Sequence, residues 1–156
     1  MKKILVIFYS RTGFTRKIAE EIVKACNCDT EEIQDIRSRK GFFGFIRSIF
    51  EARKKKLPAI KEMITDPTQY DLVILGTPVW AKNISTPLRT YVAEHRDQFK
   101  SVAFFCTMGS SGAEKVLHDI AQLCGRDPVV SLSLTDKEIK AQGHKEKVHS
   151  FVKAIV

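Results

Sequence analysis

Residues 10–15 have the composition of a loop that binds phosphate. They read Ser10-Arg11-Thr12-Gly13-Phe14-Thr15 and place three hydroxyl groups and a glycine between an apolar run and a helical pattern. Free N–H groups at a helix N-terminus, together with the hydroxyls, can surround a phosphate that the helix dipole also favours. The loop is neither a Walker motif nor a GxGxxG motif, and its single glycine favours a monoester over a pyrophosphate. The alternative is an ordinary N-capped turn with incidental hydroxyls.

A second candidate site follows another apolar run. It contains the only tryptophan of the chain and reads Thr77-Pro78-Val79-Trp80-Ala81-Lys82-Asn83. A large aromatic side chain in a loop is a poor core residue and a good stacking surface for a flat ring. The alternative is that Trp80 packs beneath its own loop.

A third candidate loop is rich in glycine and small polar residues. It reads Thr107-Met108-Gly109-Ser110-Ser111-Gly112. Its two glycines allow the backbone to approach a ligand closely, although a flexible connecting loop would have the same composition.

Apolar runs alternate with helical patterns along the chain, which predicts where these loops meet. Five strands are predicted, at residues 4–9, 31–36, 72–75, 102–106 and 129–134. Strands separated by helical crossovers form a parallel sheet with helices on both faces. Ligands bind such sheets outside the carboxyl ends of the strands, so we expect the three loops to converge at one edge. Without a repeat or linker, residues 1–156 are predicted to form one domain.

The composition is that of an ordinary globular protein. Hydrophobic residues make up 44% of the 156 residues and charged residues 28%. No apolar run approaches the length of a membrane span. The N-terminal residues lack a signal-peptide cleavage site, so we expect a cytoplasmic protein. The spacing of the four cysteines and four histidines predicts no metal site.

The net charge of +8 is concentrated in one segment. Residues 37–56 contain eight Lys or Arg residues and one Glu, a net charge of +7. The same segment has an apolar stripe at helical spacing, formed by Phe42, Phe45, Ile46, Ile49 and Phe50. Either the stripe covers the sheet and the charges are solvated, or the segment docks an acidic redox protein or an anionic membrane. A nucleic-acid partner is not expected, because the aromatics lie on one helical face.

Three segments of the sequence together resemble the flavodoxin family. FYSRTGFT, LGTPVWAKNISTPLRTYV and FFCTMGSSG occur in the family's order and follow the first, third and fourth predicted strands. The resemblance covers nearly the whole chain. It implies an α/β three-layer sandwich with a five-stranded parallel sheet in the order 2-1-3-4-5, and non-covalently bound FMN.

The resemblance also implies which residues hold the cofactor. Residues 10–15 would bind the phosphate, residues 77–83 would flank the ring with Trp80 stacked on it, and residues 107–112 would reach its pyrimidine edge. Two departures stand out in this sequence. Phe14 replaces an asparagine common in relatives, which removes a side-chain donor, and the chain is basic where electron-carrier flavodoxins are usually acidic.

The implied function is electron transfer between redox partners, because no catalytic acid or base is evident. An NAD(P)H-dependent quinone or flavin reductase, or a flavin-dependent oxidase, would use the same cofactor with a substrate pocket above the ring. A receiver-type regulatory domain is disfavoured, since receivers need clustered acids where this chain has Tyr9 and Ser10. The expected partner is a redox protein, which would be acidic if it binds residues 37–56. The other option is peripheral membrane contact through that segment, and no transmembrane segment is expected.

Overall fold

The computed structural model describes all 156 residues and contains a central sheet between two layers of helices. Five parallel strands lie in the order β2-β1-β3-β5-β6. They are β1 (Ile4–Phe8), β2 (Asp29–Glu32), β3 (Leu72–Trp80), β5 (Val102–Met108) and β6 (Ser131–Thr135). A two-residue strand, β4 (Asn83–Ile84), pairs antiparallel with the end of β3. Without β4 the order is 2-1-3-4-5, so the predicted fold is confirmed.

Six α-helices cover the two faces of the sheet. They are α1 (Phe14–Cys26), α2 (Gly41–Arg53), α3 (Thr86–His95), α4 (Ala113–Cys124), α5 (Asp136–Lys140) and α6 (Lys145–Ile155). One hydrophobic core lies between the sheet and α2, α3 and α4, and the other lies beneath α1, α5 and α6. Strand β1 supplies Leu5 and Ile7 to the first core and Ile4, Val6 and Phe8 to the second, which is why it is apolar throughout. No helix has both the length and the apolar content needed to cross a membrane.

The strand boundaries differ from the predicted ones most in β2, β3 and β6. Strand β2 covers residues 29–32 rather than 31–36. In its register with β1, Asp29 lies opposite Leu5 and Glu32 lies opposite Phe8. Strand β6 begins at Ser131 rather than at residue 129. Strand β3 continues to Trp80, so residues 77–80 do not form the predicted loop.

The extended strand β3 includes a close approach at Gly76. A Cβ atom there would lie 2.1 Å from the ring of Phe105, which packs over the Gly76 backbone where β3 pairs with β5. The pairing continues through Pro78 opposite Thr107. The Gly76-Thr77-Pro78 sequence resembles a turn, which explains the error in the predicted boundary.

Helix α2 packs with the face opposite to the one predicted to cover the sheet. Its buried residues are Gly44, Ser48 and Ala52. The phenylalanines of the apolar stripe point to solvent, with Phe42 71% and Phe50 52% exposed. The reason is again a close approach, because a Cβ atom at Gly44 would lie 2.1 Å from the carbonyl oxygen of Arg39. The interpretation of the stripe as a cover for the sheet is therefore wrong.

Candidate functional site

A cleft of about 260 Å³ opens at the carboxyl edge of the sheet. All three predicted loops contribute to its wall, and α2 closes one side. The predicted site residues that line it are Arg11, Thr12, Phe14, Pro78, Val79, Trp80, Ala81, Thr107, Met108 and Gly109. The expected convergence of the three loops is thus present in the structure.

The loop between β1 and α1 is organised by one serine. The Ser10 hydroxyl oxygen accepts hydrogen bonds from the N–H groups of Gly13 (3.1 Å) and Arg16 (3.2 Å). Gly13 has a φ of 106°, in the region where glycine is favoured. The N–H groups of Thr12, Phe14 and Thr15 have no acceptor within the protein. Unpaired amides at a helix N-terminus, together with the Ser10 hydroxyl proton, are groups that can bind an anion.

Thr15 links this loop to the third one. Its hydroxyl lies 2.8 Å from the hydroxyl of Thr107, and both side chains are buried. The Thr15 hydroxyl is therefore directed at β5 rather than at the cleft. This contact fixes the start of α1 relative to the end of β5.

Trp80 is a core residue that also reaches the cleft wall. It is only 8% exposed, and the edge of Tyr9 packs against it with ring centroids 5.5 Å apart. The guanidinium of Arg39 lies 5.2 Å from the ring centroid. The expectation that a tryptophan here makes a poor core residue is wrong, because its position at the end of β3 places it between the sheet and α2. Stacking on a bound ring stays a prediction.

The turn after Trp80 is a tight β-hairpin. Ala81 and Lys82 both have positive φ angles, 48° and 62°, as in a type I′ turn. The Asn83 side chain donates to the Ala81 carbonyl oxygen (2.7 Å) and accepts from the Lys115 ammonium (3.0 Å). A Cβ atom at Gly112 would approach the Lys82 Cα to 3.0 Å, so the third loop is packed against this hairpin.

Some predicted site residues lie beside the cleft rather than in its wall. Lys82 and Ser110 are exposed, and the Thr77 hydroxyl is buried 2.7 Å from that of Ser85. The predicted residues outside the wall are Ser10, Gly13, Thr15, Thr77, Lys82, Asn83, Ser110 and Gly112.

Four residues of the cleft wall were missed from the sequence. Phe45, Ser48 and Ile49 come from α2, and Asp136 begins α5. The spacing of Phe45 and Ile49 was a usable signal, because residues four apart share a helix face. Asp136 follows β6, whose carboxyl end meets the same edge as the other strands. Burial raises the pKa of this carboxyl group, and the nearby Lys140 partly opposes that shift.

A buried cation holds α2 against the cleft. The Arg39 side chain is 2% exposed and pairs with Asp35 at 2.8 Å and Glu51 at 2.6 Å. Asp35 also accepts a hydrogen bond from the Tyr9 hydroxyl. Burial would lower the pKa of Arg39, but its bonds to the two carboxylates outweigh this and raise it. Arg11 adds a second tie by donating to the carbonyl oxygens of residues 39 and 41, each at 3.1 Å.

Comparison with known proteins agrees with this architecture. A flavoprotein from Lactobacillus acidophilus NCFM, solved in complex with FMN, is 22% identical and superposes with a TM-score of 0.74, over 90% of this chain and 98% of that one. Oxidised Flavodoxin 1 from Bacillus cereus is 20% identical, with a TM-score of 0.59 over 97% and 95% of the two chains. The two-electron reduced flavodoxin of Megasphaera elsdenii is 17% identical, with a TM-score of 0.56 over 84% and 85%. At these identities the likeness concerns the fold.

The family assignment comes from the sequence itself. Comparison with curated proteins finds no match. The sequence pattern described as Flavodoxin matches residues 3–155, nearly the whole chain, which confirms the resemblance noted in the three segments. The chain therefore belongs to the flavodoxin family.

Proposed function

We propose that this protein binds FMN in the cleft and carries electrons between redox partners. One observation carries the proposal: the unpaired amides of the β1–α1 loop lie beside an apolar cleft wall at the carboxyl edge of the sheet. Family membership and a fold neighbour solved with FMN support this choice of cofactor.

The β1–α1 loop fits a phosphate monoester. The N–H groups of Thr12, Phe14 and Thr15, with the Ser10 hydroxyl, would hold it at the N-terminus of α1. The helix dipole favours a dianion at this position. The side chain of Phe14 cannot donate, so backbone amides carry most of this binding.

The cleft wall fits a flat ring system. Trp80, Val79 and Met108 present apolar surface, and Phe45 and Ile49 of α2 close the opposite side. Bound FMN supplies one- or two-electron redox chemistry. The side chains of the wall would exclude water from a bound ring, and Asp136 places a carboxyl group at the cleft.

Calorimetry with FMN and riboflavin tests the phosphate assignment. Two charge-assisted hydrogen bonds of at least about 1.5 kcal/mol each make FMN bind roughly 100-fold more tightly than riboflavin. Ser10→Ala should weaken FMN binding about tenfold or more and leave riboflavin nearly unaffected, whereas Ser150→Ala, at an exposed serine of α6, serves as the matched control. Equal affinities for the two ligands would reject the assignment.

The alternative is a reductase or oxidase on the same fold. The observation that favours it is Asp136, a carboxyl group with a raised pKa in the cleft wall that could hold a proton for a substrate. Steady-state assays with NAD(P)H and a quinone separate the two functions. A carrier shows almost no turnover without a partner protein. Turnover that Asp136→Asn abolishes would establish the enzyme instead.

A further inference from the structure

The outer face of α2 is an exposed apolar surface. We define it by Phe42, Phe43, Ile46 and Phe50, which are 71%, 85%, 48% and 52% exposed. On a helix of 3.6 residues per turn these four side chains span an arc of about 100°. A patch of this kind on a protein surface marks an interaction site.

The exposure is a fixed property of the fold rather than a frayed helix. The opposite face of α2 is buried through Gly44, Ser48 and Ala52. The Ser48 hydroxyl and Glu51 both contact the buried Arg39, which holds this orientation. Turning the phenylalanines inward would place large side chains where the Arg39 backbone leaves no room for a Cβ atom at Gly44.

Exposed cations surround the outer face of α2. Six of them form no ion pair within the protein: Arg37, Lys40, Arg53, Lys54, Lys55 and Lys56. The only acidic residue of the segment, Glu51, is turned inward to Arg39 and Arg47. Arg37 and Lys40 border a surface groove together with Phe43, Ile46 and Phe50. Uncompensated positive charge is thus mixed with apolar surface.

We propose that the outer face of α2 binds the surface of an anionic phospholipid bilayer. The phenylalanines enter the boundary between head groups and acyl chains, and the six cations contact the anionic head groups. The Lys56 ammonium lies over the Phe50 ring, 5.0 Å from its centroid, so positive charge and apolar surface are adjacent on this face.

The exposure of the aromatic side chains favours a bilayer over an acidic protein. Phe42 and Phe43 are largely solvent-exposed, so a protein partner would need a separate apolar pocket for each ring, whereas a fluid bilayer accommodates them without a matching shape. Aromatic residues flanked by lysine and arginine are the composition of helices that lie in a membrane interface.

Vesicle sedimentation of the FMN-loaded protein tests the electrostatic part. We expect binding to phosphatidylglycerol/phosphatidylcholine vesicles and little to pure phosphatidylcholine. Each cation near the surface contributes about a fivefold change in partitioning, so Lys54/Lys55/Lys56→Gln should reduce binding roughly 100-fold at low salt. The control removes the same charge from the helices on the other side of the sheet, with Lys24/Lys145/Lys153→Gln, and should bind almost as the unmodified protein does.

The apolar part has its own variants. Phe42/Phe43→Ser should lower vesicle binding about tenfold or more, while Ile64/Val129→Ser, which removes exposed apolar residues elsewhere, should not. Neither Phe42 nor Phe43 lines the cleft, so FMN affinity should be unchanged. In Phe43→Trp, anionic vesicles should shift the tryptophan emission to shorter wavelength.

Three outcomes would overturn the proposal. The first is an absence of binding to anionic vesicles at low salt. The second is binding that is insensitive to Phe42/Phe43→Ser. The third is binding of an acidic protein such as a ferredoxin through Phe43 while vesicles are ignored, which would make this a protein-docking face. FMN affinity is measured separately, so failure here is distinguishable from failure of the proposed electron-carrier function.

Discussion

Replacing Arg39 by methionine should strongly destabilise the fold. The guanidinium is 2% exposed and pairs with two carboxylates whose side chains are only 14% (Asp35) and 15% (Glu51) exposed. Methionine keeps much of the volume but leaves Asp35 without a cation and Glu51 with Arg47 alone. Removing one partner of a buried ion pair costs about 3–5 kcal/mol. For a chain of this length we expect the melting temperature to fall by roughly 10 °C.

Urea unfolding followed by circular dichroism measures this change in the free energy of unfolding. Arg53→Met is the matched control, because Arg53 lies on the same helix, is exposed and forms no ion pair; its effect should stay within about 0.5 kcal/mol. Adding Asp35→Asn and Glu51→Gln to Arg39→Met should restore part of the loss, since the unpaired charges are then gone. FMN affinity should also drop, because α2 forms one wall of the cleft. If Arg39→Met and Arg53→Met unfold alike, the ion pairs do not hold α2 in place.

Three further changes test other parts of the structure. Gly44→Ala should destabilise the protein by about 2 kcal/mol through overpacking against the backbone, measured by thermal unfolding, whereas Gly143→Ala, with 3.7 Å of clearance, should be neutral. Asp136→Asn removes a negative charge from the cleft and should raise the reduction potential of bound FMN by roughly 40 mV, while Lys153→Gln, an exposed position near the C-terminus of α6, should leave it nearly unaltered in potentiometry. Burial raises the folded-state pKa of Asp136, so this carboxyl group lowers stability as pH rises through that pKa. Asp136→Asn removes this loss, so the variant should gain stability relative to the unmodified protein as pH rises over the same range. Thr107→Val should cost about 1–3 kcal/mol by leaving a buried hydroxyl unpaired, and an unchanged unfolding midpoint would contradict the 2.8 Å contact.

The sheet was predictable because its strands are buried on both faces. Continuous apolar runs such as β1 and the helical periodicity of α1 define their elements locally, and crossover handedness then limits the topology. The three loops of the cleft were predictable for the same reason, since the carboxyl ends of parallel strands must share an edge.

The orientation of α2 could not be predicted from its apolar pattern. The phenylalanines of the apolar stripe have the helical spacing that is typical of a face packed against the core. The face that is buried is instead the one with Gly44, where the Arg39 carbonyl oxygen approaches closely. Likewise, Trp80 belongs to the core because β3 extends beyond Gly76. This extension is evident from the pairing of β3 with β5, which continues past Gly76 to Pro78. Both outcomes depend on contacts between residues distant in sequence, for which local propensity carries no information.

Because α2 is attached through small and polar residues, the side chains that stabilise the fold differ from those that are available to contact a partner. Folding depends on the inward residues Gly44, Ser48 and Ala52 and on the Arg39 network, whereas the outward residues are largely exposed. Residues on the outward face can therefore be substituted one at a time with little effect on the free energy of unfolding. Substitutions on the outward face of α2 would therefore direct the same cleft to a different surface or partner, while the residues of the cleft stay unchanged.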